Sequence, residues 1–401
     1  MLIFDKLKVF IKGIKEDNSK AWKRIVSGAA FWVIVSSVLI GSYTCYNFYT
    51  LKNACKDQFA AEYWGSSNEE KDYGKVSVFA RGIRVNGEFT PAHYQEAGSS
   101  LSLADITSMR NTLQGVVDSF ATGADSKNKG LNSDGTPRGW EDCYSTFLKA
   151  SICEKKVDGT TTDPVDIEVV AVGGNFSACH PMEYLSGGFL PELVIDNNQI
   201  VINDVLAWRL YRSYDVLGEN LMMWGETFTI IGVVRVKDDG VVNKSDVNDA
   251  RAYCYFSVVD KLDATGYFNQ SGNDEGSGLA GTSSKLAVNC YEVILPESVR
   301  GVAYTDVLAA LPSYSGNDPK MYVVRNTGRF GLLKIYDLMM PIGEESKKLA
   351  EYEFPFWEDA AQITTQFMFI DMCIILVCAI GLFAGIIMAS LKYYSNKQKN
   401  T

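Results

Sequence analysis

Two histidines, nine cysteines and one carboxylate set inside an apolar run are the groups from which this chain could build chemistry. His93 and His180 lie in different segments. A Ser-His-Asp triad or a histidine-based metal site needs further groups beside one of them, and the sequence alone does not establish such neighbours. No G-x-x-x-x-G-K-S/T run occurs, so there is no P-loop and any ATPase has to be a partner. Gly173-Gly174 and Gly187-Gly188 read as turns, because neither leads into the helix that phosphate binding needs. Carboxylates are abundant, but no D-x-D/N-x-D/N-G calcium loop is present. The expectation is a chain with no catalytic residue, cofactor or metal.

Cys45, Cys373 and Cys378 fall in apolar runs; Cys55, Cys143, Cys153, Cys179, Cys254 and Cys290 lie between them. Two readings stand for the second group. Cys143–Cys153 and Cys254–Cys290 are candidate disulfides, each joining segments close in sequence or on adjacent strands. The alternative is buried, reduced thiols, because an oxidising location permits disulfides without requiring them.

Asp371 sits in the second of two apolar runs. Residues 25–47 carry no charge and are long enough for a membrane helix; residues 366–391 hold only Asp371. No small-x-small cleavage site follows the first run, and Tyr43-Thr44 before Cys45 lacks the small residues of a lipoprotein site. Gly381, Gly385 and Ala389 recur every four residues and form one small-residue strip, the kind that lets helices approach closely in lipid. Ser37 and Gly41 offer matching small residues in the first run. Asp371 flanks the strip and, being costly in lipid, calls for a polar partner or a water-filled gap.

Charge supports two spans. Residues 1–24 hold seven Lys/Arg among Leu2, Ile3, Leu7, Phe10, Ile11 and Ile14, which reads as a basic amphipathic helix on the membrane surface or as a solvated one. Lys392, Lys397 and Lys399 follow the second run without an acid, whereas residues 49–366 carry 28 basic and 44 acidic groups. Basic ends around an acidic middle predict two cytoplasmic termini and an outside domain in the plasma (inner) membrane. The overall charge of −10 argues against nucleic acid as a partner.

The middle reads as mixed α/β. Val76 to Val85 alternates as a strand; Ser102 with Asp105 resembles a capping box ahead of the stripe Leu103, Ile106, Met109, Leu113 and Val116. Thr122 to Gly139 and Phe268 to Ser284 are polar loops, and the segment from Cys143 to Cys153 carries no assignable pattern. Val165 to Val172 and Ala252 to Val259 are strands. Gln199 to Val236 reads β-α-β-β, with Asn203 as N-cap, a stripe of Val205, Leu206 and Leu210, a II′ turn at Gly225-Glu226, and a return strand from Phe228 to Val234. Leu286 to Leu295, Tyr304 to Leu311 and Met321 to Arg325 make a further βαβ unit. Gly331 to Ala350 is helical with a break at Pro341, and Phe354, Phe356 and Trp357 suit a membrane interface.

The strand from Val165, the strings GGNF and MEYLSGGFLP, and VLAWRLY…DVLGENL…ETFTIIGVV together resemble the extracytoplasmic core domain of MacB/FtsX-type ABC transporter permeases. The likeness spans Val165 to Arg235, is weaker from Gly74 to Phe120, and returns at PFWEDAAQIT, Pro355 to Thr364. It implies an α+β chain in which two transmembrane helices flank a large two-lobed extracytoplasmic α/β domain. The segments expected are 1–24 cytoplasmic helix, 25–47 first span, 48–365 MacB-like core, 366–391 second span and 392–401 tail. Within the core, one lobe takes about 74–164 with 285–350, and an inserted lobe takes about 165–260.

The resemblance also implies an ABC ATPase and further permease subunits as partners, with the outside domain transmitting motion or contacting substrate. A full permease of this class has four spans, whereas this sequence ends at LKYYSNKQKNT. The expectation is either a partial permease completed by other subunits, or an anchored binding or scaffold protein without ATP coupling.

Overall fold

The computed structural model describes residues 28–62, 73–80, 100–120, 130–131, 137–156, 158–236, 250–268, 284, 286–297, 299–312, 321–339 and 354–399. The basic helix expected over residues 1–24, His93 and most of both polar loops lie outside them. The chain divides into two units, Met1–Asn53 with Thr364–Thr401, and Ala54–Ile363.

In chain order the elements are α1 (Ala29–Ala54), β1 (Tyr73–Ala80), α2 (Leu103–Phe120), β2 (Gly130–Leu131), β3 (Pro137–Arg138), β4 (Glu141–Glu154), β5 (Val165–Gly174), α3 (Phe176–Cys179), β6 (Tyr184–Gly187), β7 (Gln199–Asn203) and α4 (Asp204–Tyr211). There follow β8 (Asn220–Met223), β9 (Glu226–Val234), β10 (Arg251–Tyr255), α5 (Phe256–Ala264), β11 (Cys290–Pro296), α6 (Val302–Ala310), β12 (Met321–Arg325), α7 (Leu332–Met339) and α8 (Phe356–Lys399).

The larger unit is built on one ten-stranded sheet in the order β12-β1-β11-β4-β5-β10-β7-β9-β6, with β8 bridging β4 and β9. Strands β12, β1, β11 and β4 are antiparallel neighbours. The pairs β1/β4 and β11/β12 are therefore each parallel across one intervening strand. Helices α2 and α6 make those two crossovers, which is the split βαβ, ferredoxin-like arrangement. The capping box forms as expected: Ser102 N donates to Asp105 Oδ2 (2.8 Å), and Asp105 N donates to Ser102 Oγ (3.2 Å). Ile106, Met109 and Leu113 are buried, and the stripe ends on Val117 rather than Val116.

The segment without a pattern is β4, a strand of 14 residues at the middle of the sheet. Covered on both faces for most of its length, it lacks the alternation that marks a half-exposed strand. From β5 onward the chain adds β5, β10, β7, β9 and β6 to the same sheet, so residues 165–260 extend the first half along the β4–β5 ladder, which pairs Cys143 with Gly174 at one end and Ile152 with Val165 at the other. One hydrophobic cluster runs through both halves.

The β-α-β-β stretch forms as read. Asn203 Oδ1 accepts from Leu206 N (2.9 Å) and starts α4; Leu206, Phe228 and Ile230 are buried, with Leu210 half-buried at the edge of the cluster. The hairpin turn is one residue earlier than expected. Trp224 (φ 54) and Gly225 (φ 79) are both left-handed, which makes a I′ turn at Trp224-Gly225 instead of II′ at Gly225-Glu226. The Trp224 ring lies edge-on to Phe228 and Phe268, and this packing accompanies a conformation that a tryptophan rarely adopts. The strand expected over Ala252 to Val259 stops at Tyr255, and the chain turns into α5 at Phe256. Of the helix expected over Gly331 to Ala350, α7 is the described part, ending before Pro341.

Candidate functional site

Among the described residues the smaller unit is a pair of apolar helices. Both α1 and α8 are long and apolar enough to cross a membrane. They leave large apolar side chains exposed, Leu39, Ile40, Leu376, Val377 and Phe383 among them, as lipid-facing positions require. Their inner faces meet at the small residues. A Cβ on Gly381 would stand 2.7 Å from Ser37 Oγ, and one on Gly385 would stand 2.6 Å from Ile34 Cγ1, so neither position admits a side chain as packed. A Cβ on Gly41 would touch Cys378 Cβ at 3.4 Å. Ile34, Ser37 and Gly41 thus face Gly385, Gly381 and Cys378 in turn, the pattern of an antiparallel pair. Ala389, expected on the strip, is exposed. Asp371 is buried, and Asn47 Nδ2 donates to its Oδ2 at 2.7 Å. The carboxylate has the polar partner that lipid demands, and that partner was not picked out from the sequence.

The proposed disulfide pairs are not brought together. Cys143 and Cys153 lie on the single strand β4, ten residues apart, which is about 33 Å and far beyond the reach of a disulfide. Cys254 on β10 and Cys290 on β11 are separated by β4 and β5, so three strand spacings, about 14 Å, divide them. The expectation failed because nearness in sequence places residues along a strand, and the insertion between β4 and β11 sets β10 and β11 apart. None of the nine cysteines is in a disulfide. Burial pushes the Cys254 thiol up, as for an inert core residue. Cys143 instead meets the thiol of Cys179, a neighbour with no signal in the sequence.

That contact belongs to a buried polar row. Register pairs Ser77 with Glu292 and Glu292 with Cys143, so all three rise from one face of the sheet. Ser77 Oγ donates to Glu292 Oε1 (2.6 Å), Lys75 Nζ lies 3.1 Å from the same oxygen and donates to Cys179 O (2.8 Å), and His180 Nε2 meets Glu292 Oε2. Burial works against the Glu292 carboxylate, but His180 and Lys75 outweigh it and hold its pKa at about 2. Cys179 and His180 reach the row because Gly173-Gly174 ends β5 tightly. A Cβ on Gly173 would run into the Tyr144 ring at 2.2 Å, and Gly174 has φ 72. This glycine pair does lead into a helix, contrary to expectation, but α3 is a single turn, N-capped by Asn175.

The aromatics expected at a membrane interface pack inside the domain. Trp357 is buried against Phe147, Phe176 and His180; Phe354 lies edge-on to Phe79, and the Arg251 guanidinium covers Phe356. Beside them Arg329 donates from Nη1 to Glu358 Oε2 (2.7 Å) and from Nη2 to Oε1 (2.8 Å), with both side chains buried. Burial opposes the Arg329 charge, and Glu358 more than compensates. A cleft lined by Cys55, His180, Met182, Arg251 and Tyr253 has an accessible volume of about 60 Å³, room for water and not for an organic substrate.

No known family profile matches this chain, and no curated protein sequence does. Among solved structures, the periplasmic region of MacB from Actinobacillus actinomycetemcomitans aligns over 63% of this chain and 89% of its own, at 11% identity and a TM-score of 0.35. The extracellular domain of the noncanonic ABC-type transporter YknZ from Gram-positive bacteria aligns over 62% of this chain and 99% of its own, at 12% identity and a TM-score of 0.34. The MacB class is also the one that the sequence resembles.

Proposed function

We propose that the chain is a non-enzymatic, permease-type subunit of a MacB/FtsX-like ABC export or mechanotransmission complex. The outside domain moves with its membrane helices and passes that motion to a substrate or a partner. Both termini of these 401 residues lie in the cytoplasm, and an ABC ATPase and further permease subunits are the partners. The observation that carries this reading is the Arg329–Glu358 pair. Glu358 lies in the first turn of α8, and a buried, two-pronged ion pair ties that turn to the segment just after β12. The first turn of α8 and the segment after β12 are thereby held together.

Affinity purification of the full chain from native membranes, after cross-linking, tests the assembly. An ABC ATPase and a second permease should co-purify; their absence from the cross-linked material would overturn the reading. A second reading, an anchored binding or scaffold protein, draws support from Leu193, Val194 and Ile195, three consecutive exposed apolar residues.

A further inference from the structure

The buried polar row contains more metal-binding chemistry than a structural hydrogen-bond network requires. Cys143, His180 and Glu292 each offer one donor atom, and these atoms all lie within 4.8 Å of one another. All three residues are buried; Cys179, also buried, bonds the Cys143 thiol but does not lie within that distance of all three. We propose that Cys143, His180 and Glu292 bind a structural zinc ion, with the neighbouring Cys179 thiol turning in to fill the fourth position.

The donor types select the metal. Thiolate, imidazole and carboxylate are each ligand types that zinc takes, whereas calcium and magnesium take oxygen. The donors are preorganised. Cys143 and Glu292 are fixed by adjacent strands in register. The His180 ring is stacked on Phe176 (4.3 Å between centroids) and closed over by Trp357 (4.5 Å), which sets its orientation. The charges balance as well. Two thiolates and a carboxylate against Zn²⁺ leave one negative charge in a dry site, and the buried Lys75 ammonium beside Glu292 cancels it. Lys75 approaches from the Oε1 side, leaving the Oε2 side to His180 and the ion. Binding requires deprotonated ligands and so expels protons, and the ion is held more tightly as pH rises.

The ion would have a clear structural task. Cys143 and Glu292 belong to the split βαβ half of the sheet, and Cys179 and His180 follow β5 in the added half. One ion therefore pins the two halves together where α3 crosses over β4. This departs from the expectation of a metal-free chain, because the sequence separates the four donors by up to 149 positions, from Cys143 to Glu292.

The test is metal analysis of the full chain, purified in detergent through a tag without histidine and without chelator, by inductively coupled plasma mass spectrometry. About one zinc per chain is expected, falling to a small fraction in Cys143→Ser and in Cys179→Ser. Where those variants fail to fold, cobalt exchanged into the wild-type chain should show thiolate-to-cobalt charge-transfer absorption. A zinc-free wild-type chain would overturn the proposal, as would zinc content unchanged by Cys143→Ser or cobalt spectra without a thiolate band. A Cys143–Cys179 disulfide in an unreduced digest would also overturn it, by showing that the two thiols cross-link instead.

Discussion

Asn47 donates a hydrogen bond to Asp371 at 2.7 Å, joining two apolar helices through residues 324 positions apart. Asn47→Leu should leave the carboxylate without this donor in a setting where water is scarce. The expected loss is about 0.6–1.7 kcal/mol, the mean and the maximum that double-mutant cycles give for hydrogen bonds between membrane helices. Thermal unfolding of the full chain in detergent reads it. The double variant Asn47→Leu, Asp371→Leu should recover much of the loss, since removing both partners removes the unmet polar group. A double variant as unstable as the sum of the two singles would rule out the pairing.

Gly41→Cys should cross-link to Cys378 on mild oxidation. A Cβ at position 41 lies 3.4 Å from Cys378 Cβ, close to the Cβ spacing of a disulfide. Mild oxidation followed by peptide mapping gives the yield. Adding Gly385→Leu should cut that yield, because the new side chain collides with Ile34. High yield in both chains would mean that the glycine strip does not set the helix contact.

Leu206→Ala should cost about 2–5 kcal/mol of domain stability, since Leu206 is fully buried under α4. Leu210→Ala should cost less, because Leu210 is only half-buried. Equal effects in chemical denaturation of the full chain would contradict the observed placement of α4.

Glu358→Gln should be strongly destabilising, by about 3–5 kcal/mol, because it leaves the Arg329 charge buried and unmatched. Replacing both partners, Arg329→Met with Glu358→Leu, should restore most of the stability. If the proposed role in force transmission holds, the double variant should still lose the output of the assembly, whereas a purely structural pair would leave that output intact.

Much of the fold is legible in residue pattern. The Ser102–Asp105 capping box, the Asn203 N-cap and the strand from Phe228 to Val234 rest on local rules, and local rules operate before any tertiary contact forms. The helix strip was legible for the same reason, since Gly381 and Gly385 share a face by periodicity alone. Ala389 shares that face by the same arithmetic and yet is exposed, because periodicity says which side a residue takes and not how far the partner helix extends. The turn at Trp224-Gly225 was misplaced by one residue because aromatic packing from Phe228 and Phe268 accompanies a tryptophan in the left-handed region, which local preference disfavours.

By itself the sequence determined the two apolar spans and the mixed α/β character of the chain between them, since each follows from composition or short-range periodicity. Tertiary structure alone decided which distant residues meet. It put Cys143 beside Cys179 and not Cys153, set His180 against Glu292, gave Asp371 its Asn47, and drew Trp357 into the core. These are cross-strand, cross-helix and cross-loop contacts. Their partners are set by strand order and register, which depend on the packing of the whole sheet and leave no mark at either residue.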